Sequence, residues 1–172
     1  VDSLRVTAAT KRINHRGDTL NAATLGLNVD SPAEDVIRIQ LSHHQGGKPA
    51  IKFPVTESAT KLTASVDSEW ARISSGKLEA RVSMGDTWNL EFLANDKVIA
   101  HQRSRGLSFI IDDQGNHHLS AQISLGVGEQ VYGLGERFTP FIKNGQTVDI
   151  WNEDGGTSSE QAYKNIPFYL TN

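Results

Sequence analysis

The feature that most constrains this 172-residue sequence is an alternation of apolar and polar residues with a period of two. Ile37, Ile39 and Leu41 alternate with Arg38, Gln40 and Ser42, and Leu62, Ala64 and Val66 alternate with Thr63 and Ser65. Leu78, Ala80, Val82 and Met84 repeat the pattern, as do Trp88, Leu90 and Phe92. Successive side chains of a strand point to opposite faces, so each run places one face on a core and the other in water. Ser74-Ser75-Gly76-Lys77, Gly85-Asp86, Asn95-Asp96 and Asp112-Asp113-Gln114-Gly115-Asn116 punctuate the runs with residues that tolerate tight turns. Leu78–Met84, Trp88–Leu93 and Lys97–His101 therefore predict an antiparallel meander, continued by Leu107–Ile111 and Ser120–Leu125. Short strands at this spacing predict an all-β antiparallel sandwich. No amphipathic helix pattern precedes residue 150.

Composition narrows the function classes. A formal charge of -3, from 17 basic and 20 acidic residues spread along the chain, leaves no basic stripe for nucleic acid or an anionic membrane. With no cysteine there is no disulfide framework and no thiol nucleophile. No segment approaches the roughly 20 apolar residues of a membrane helix. Val1–Thr10 does not read as a signal peptide, and no asparagine lies in an Asn-x-Ser/Thr sequon, so the expected location leans cytoplasmic.

From Gln130 the character changes. Tyr132, Phe138, Phe141, Trp151, Tyr163, Phe168 and Tyr169 accumulate there, and 149–165 is long and polar around Gly155-Gly156. This predicts a structured loop projecting from the sandwich, with Thr157-x-x-Glu160 able to cap one helical turn. The chain stops at Thr171-Asn172 directly after the strand-like Ile166–Leu170, an ending that reads as truncated.

His43-His44 and His117-His118 are sequence neighbours without a zinc spacing, which predicts ordinary surface histidines. Gly133-Leu134-Gly135 begins like a dinucleotide fingerprint, but Phe138 stands where the third glycine belongs; a bulge or a close strand crossing is expected instead. Asp149, Glu153, Asp154 and Glu160 do not fall in the register of a calcium loop, so no metal is expected. Retaining glycoside hydrolysis needs two carboxylates roughly 5 Å apart. The neighbours Glu153 and Asp154 give no reason for that geometry. Two readings of the acidic loop remain: a solvated loop, or a sugar-binding loop in which carboxylates beside aromatics recognise hydroxyls. No Gly-x-Ser-x-Gly elbow is present. Glu136-Arg137 is expected to form a structural salt bridge, and Trp151 and Tyr163 either hold the loop or pack in the core.

Tyr132-Gly133-Leu134-Gly135-Glu136-Arg137-Phe138, then Trp151-Asn152-Glu153-Asp154-Gly155-Gly156-Thr157, then Glu160-Gln161-Ala162-Tyr163-Lys164-Asn165-Ile166-Pro167-Phe168-Tyr169 resemble glycoside hydrolase family 31, its α-xylosidase branch above all. The resemblance covers roughly Gln130 to Asn172. It implies that residues 1–172 are an N-terminal galactose-mutarotase-like β-sandwich, incomplete without the strand that usually follows Tyr-Leu-Thr-Asn. The sandwich would pack on a (β/α)8 barrel that this chain does not contain. The family's catalytic aspartates lie on that barrel, so no catalytic residue is assigned here. The resemblance further implies that 149–165 reaches the active site, with Asp154 binding sugar hydroxyls and Glu153 and Thr157 as weaker neighbours. No cofactor is implied. The partners implied are an oligosaccharide substrate, the barrel of the same protein, and further copies in a homo-oligomer. Two alternatives remain: a freestanding carbohydrate-binding module and a sugar mutarotase, for which the sequence suggests no histidine–carboxylate pairing.

Overall fold

The computed structural model of the chain describes residues 2–43, 61–152 and 164–172. These form two compact units, Val1–Ser124 and Leu125–Asn172.

In the first unit, β1 (Leu4–Ala9), β2 (Thr24–Asp30) and β3 (Arg38–Ser42) make an antiparallel sheet in the order β1-β2-β3. β4 (Leu62–Val66), β5 (Trp70–Ser75), β6 (Leu78–Ser83), β7 (Leu90–Ala94) and β8 (Lys97–Gln102) make a five-stranded meander in sequence order. One buried cluster joins the sheets: Leu27 and Val29 come from β2, Ile73 from β5, Ala80 and Val82 from β6, and Leu90 from β7. Two sheets sharing one apolar layer are a sandwich. Val29, Ile73 and Leu90 are fully buried, each contributing about 1.5–3 kcal/mol relative to exposure.

The turns follow their residues. Asn95 and Asp96 both adopt positive φ, 48° and 64°, as a two-residue hairpin between β7 and β8 requires. The outward face of the five-stranded sheet is bound by ion pairs. Glu91 accepts from Arg81 Nε and Nη2 at 2.8 and 2.6 Å and from Arg103 Nη1 at 2.8 Å. The Arg81 guanidinium also lies 4.5 Å above the Trp70 ring.

The meander and β9 (Leu107–Ile111) agree with the alternation, whereas the expected strand over Ser120–Leu125 lies earlier. β10 is His117–Ala121, paired with β9. The reason is the turn: the Asp112 carboxylate accepts the backbone N–H of Gln114 and Asn116, closing the hairpin and forcing His117 into register with Ile111. β1, β2 and β5 add to the strands expected from the alternation. The only helical element among the described residues is a 3-10 turn at Arg16–Thr19.

In the second unit, β11 (Val131–Gly135) pairs antiparallel with β12 (Asn165–Thr171), with a register shift between Gly133 and Gly135.

Candidate functional site

The segment singled out for sugar binding leaves the described chain after Asn152 and rejoins it at Lys164. Asp154, Glu153 and Thr157 lie outside the described residues, as do Glu160, Tyr163 and the Thr157–Glu160 capping pattern. The two ends of that segment are described, and they are held together.

Gly133, Leu134 and Gly135 have positive φ of 106°, 68° and 86° in succession. A Cβ on Gly133 would sit 2.7 Å from the Phe168 carbonyl oxygen, and one on Gly135 would collide with that of Lys164. This is the close backbone approach expected at these glycines. It brings the end of β11 against the start of β12, where the Glu136 amide donates to the Lys164 carbonyl at 2.9 Å.

Two asparagines complete the closure. Asn165 donates its backbone N–H to Asn152 Oδ1 at 3.1 Å. Its Nδ2 donates to the same oxygen at 2.9 Å and to the Trp151 carbonyl at 2.6 Å. Both asparagines lie within the motif, where the sequence alone assigns them no role. Their signal was placement: one on each side of the glycine-centred segment.

The expected Glu136–Arg137 salt bridge is not what holds this corner. Among the described residues neither side chain forms an ion pair, and Arg137 Nη2 donates instead to the backbone carbonyl of Asp149. Asp149 thus enters the neck through its main chain. Trp151 does not pack in a core: its residue is 66% exposed, and its carbonyl serves the neck.

The rest of this unit presents apolar side chains to the outside. Phe138 and Phe141 are 72% and 77% exposed and Phe168 is 61%, with Ile166, Tyr169 and Leu170 exposed as well. Water does not stabilise such a ribbon: two strands need a further layer against their apolar face. Lys143 is the buried cation here, its Nζ donating to Thr139 Oγ1 at 2.8 Å and to the Pro140 carbonyl at 2.7 Å.

The histidines stand in ordinary surroundings. His43 packs on Phe109 with ring centroids 4.0 Å apart, and His117 meets the same ring edge-on at 5.1 Å. Against the expectation of no histidine–carboxylate pairing, His118 Nε2 lies 2.9 Å from Asp112 Oδ2, because the β9–β10 turn brings the two together; with the turn amides this contact holds the Asp112 carboxyl well below the usual carboxylate range. His44 lies outside the described residues.

Comparison with known families decides the lineage. The model of the glycosyl hydrolase 31 N-terminal galactose mutarotase-like domain matches residues 26–172. The chain belongs to this family. Within glycosyl hydrolase 31, it is 38% identical over 161 residues to α-xylosidase XylQ of Lactiplantibacillus pentosus, covering 93% of this chain and 21% of that protein. It is 37% identical over 180 residues to an α-xylosidase of Emericella nidulans, covering 91% of this chain and 23% of the relative. The chain therefore spans about a fifth of the length of these relatives. Among solved structures it superposes on the Listeria monocytogenes cycloalternan-forming enzyme, crystallised with a pentasaccharide substrate, with a TM-score of 0.63. At 15% identity, over 97% of this chain and 16% of that one, the match shows a shared fold. No helix among the described residues is long and apolar enough to cross a membrane.

Proposed function

We propose that this glycosyl hydrolase 31 domain is the N-terminal part of a retaining α-glycosidase that removes terminal α-xylosyl, or α-glucosyl, residues from oligosaccharides. Its homology to two α-xylosidases over more than nine-tenths of the chain carries the reading. The catalytic aspartates belong to a (β/α)8 barrel elsewhere in the same polypeptide. The domain's part is to pack on that barrel and to supply the segment 149–165 to the substrate.

Within that segment Asp154 accepts hydrogen bonds from sugar hydroxyls next to the cleaved bond, with Glu153 and Thr157 beside it. Such a contact orients the glycoside and does not attack carbon. The closed neck supports this role, because a segment held at both ends can present a side chain in one place. The exposed faces of Phe138, Phe141 and Phe168 support packing on a further domain, since a freestanding module would leave them in water.

The test is Asp154→Ala in the intact enzyme. Loss of one such hydrogen bond lowers kcat/KM about 10- to 100-fold with little change in thermal midpoint. Wild-type kinetics on α-xylosyl and α-glucosyl oligosaccharides would remove Asp154 from the substrate. The intact mass of the native polypeptide separates the two architectures. A value several times 18.8 kDa fits the hydrolase, and one near 18.8 kDa fits a freestanding carbohydrate-binding module.

A further inference from the structure

We propose that a groove at one end of the five-stranded sheet binds a neutral saccharide. The groove encloses about 690 Å³, opens to solvent, and has the size of a small-molecule site. Trp70 of β5 and Trp88, just before β7, line it together with Glu69, Asp86, Asn89 and Arg103. All six belong to the first unit, so the inference goes beyond the proposed function and does not depend on the segment 149–165.

A pyranose carries C–H groups on its faces and hydroxyls round its edge, so it needs apolar ring area beside donors and acceptors. The two indoles supply the first, and two carboxylates, an amide and a guanidinium supply the second. The charges present select against ionic ligands. Arg81 already stands 4.5 Å above the Trp70 ring, where it repels a cation seeking the same indole. The Arg103 guanidinium is engaged by Glu91 Oε1 at 2.8 Å and by the side-chain oxygen of Asn89. The Glu69 and Asp86 carboxylates are exposed and repel an anion. A neutral polyol meets neither penalty.

The protein's own hydrogen bonds build the frame of the groove. Asp67 Oδ1 accepts the backbone N–H of Glu69 and of Trp70, each at 2.8 Å, and the Met84 N–H donates to the Glu69 carbonyl at 2.8 Å. The Ser83 N–H donates to the Asn89 carbonyl at 2.9 Å, and its Oγ donates to that of Thr87 at 2.7 Å. These bonds fix both rims, 67–70 and 83–89, so little ordering is left to oppose binding.

The experiment is native electrophoresis of the intact enzyme through gels holding xyloglucan or amylopectin, both neutral, or polygalacturonate, an anionic polysaccharide. Wild type is retarded by at least one neutral polymer and not by polygalacturonate. Trp70→Ala raises the apparent Kd for that polymer about 10-fold or more, with a thermal midpoint near wild type. Glu69→Ala, at an exposed position, raises it about threefold and is the deciding variant if Trp70→Ala does not fold. Equal migration of wild type in every gel, retention by polygalacturonate, or retention unchanged in the deciding variant would overturn the groove. Cleavage of an aryl α-xyloside and an aryl α-glucoside is scored on the same wild-type sample. Activity without retention removes the groove and leaves the glycosidase reading standing. Trp70-dependent retention without activity does the reverse.

Discussion

The α-carbon of Gly135 faces the carbonyl oxygen of Lys164 so closely that no side-chain carbon fits between them. With φ at 86°, the position excludes other residues on two counts, sterics and backbone conformation. Gly135→Ala is expected to destabilise the domain by more than about 1 kcal/mol, measured by denaturant unfolding. Gly145→Ala, at φ 73° but in open space, bears the backbone cost alone and should lose less. Equal losses at the two sites would mean that the Lys164 contact is relieved cheaply.

Ile73 is fully buried between the two sheets of the sandwich. Ile73→Ala should cost about 2–5 kcal/mol of unfolding free energy, because the lost methylenes leave a cavity that rigid strands cannot collapse. Val36→Ala, at a 41% exposed position, should change stability by less than about 0.5 kcal/mol. A small Ile73 effect would argue that the sheets can close on the cavity.

Glu91 is 6% exposed and holds two guanidinium groups. Burial raises its carboxyl pKa, but hydrogen bonds from Arg103, Arg81 and Asn89 outweigh that and hold it below its ordinary 4.5. Replacing Glu91 with Gln should cost about 1–3 kcal/mol by leaving charged donors without a charged acceptor. Arg81→Met should cost more than Arg103→Met, since the Arg81 side chain is 26% exposed and that of Arg103 52%. The reverse order would place the strength of the network on the solvent side.

Asp67 predicts a pH dependence. The backbone N–H of Trp70, the Arg72 guanidinium and the backbone N–H of Glu69 lower its carboxyl from an ordinary 3.8 to about 2. A depressed folded value means the ionised form is favoured by folding, so this stabilisation is present above pH 3.8 and lost as pH falls through about 2. Denaturant midpoints measured across that window should fall less steeply for Asp67→Asn than for wild type. Parallel curves would assign the acid loss to other carboxylates.

Much of the sandwich was legible because strand burial obeys a period of two: Leu78, Ala80 and Val82 alternate outward with Glu79 and Arg81 as their order requires. The Asn95-Asp96 turn was legible because few residues accept two successive positive φ values. β10 was misplaced since Ser120–Leu125 also alternates, and the choice between registers came from the Asp112 carboxylate closing its turn. β5 went unassigned although Ala71 and Ile73 alternate within it. The motif around the candidate segment could be seen in the order of residues, but not the division of labour inside it. Trp151 looked like a core or loop anchor by its size, yet it contributes a carbonyl.

The sequence by itself determined the class of fold, the absence of thiol chemistry and the family, because alternation, composition and an ordered run of motifs are properties of the chain in one dimension. Only the tertiary structure decided that Asn152 accepts and Asn165 donates, and that Arg137 serves a carbonyl and not a carboxylate. Hydrogen-bond roles depend on which groups distant in sequence come within about 3 Å, and that proximity is created by the pairing of β11 with β12.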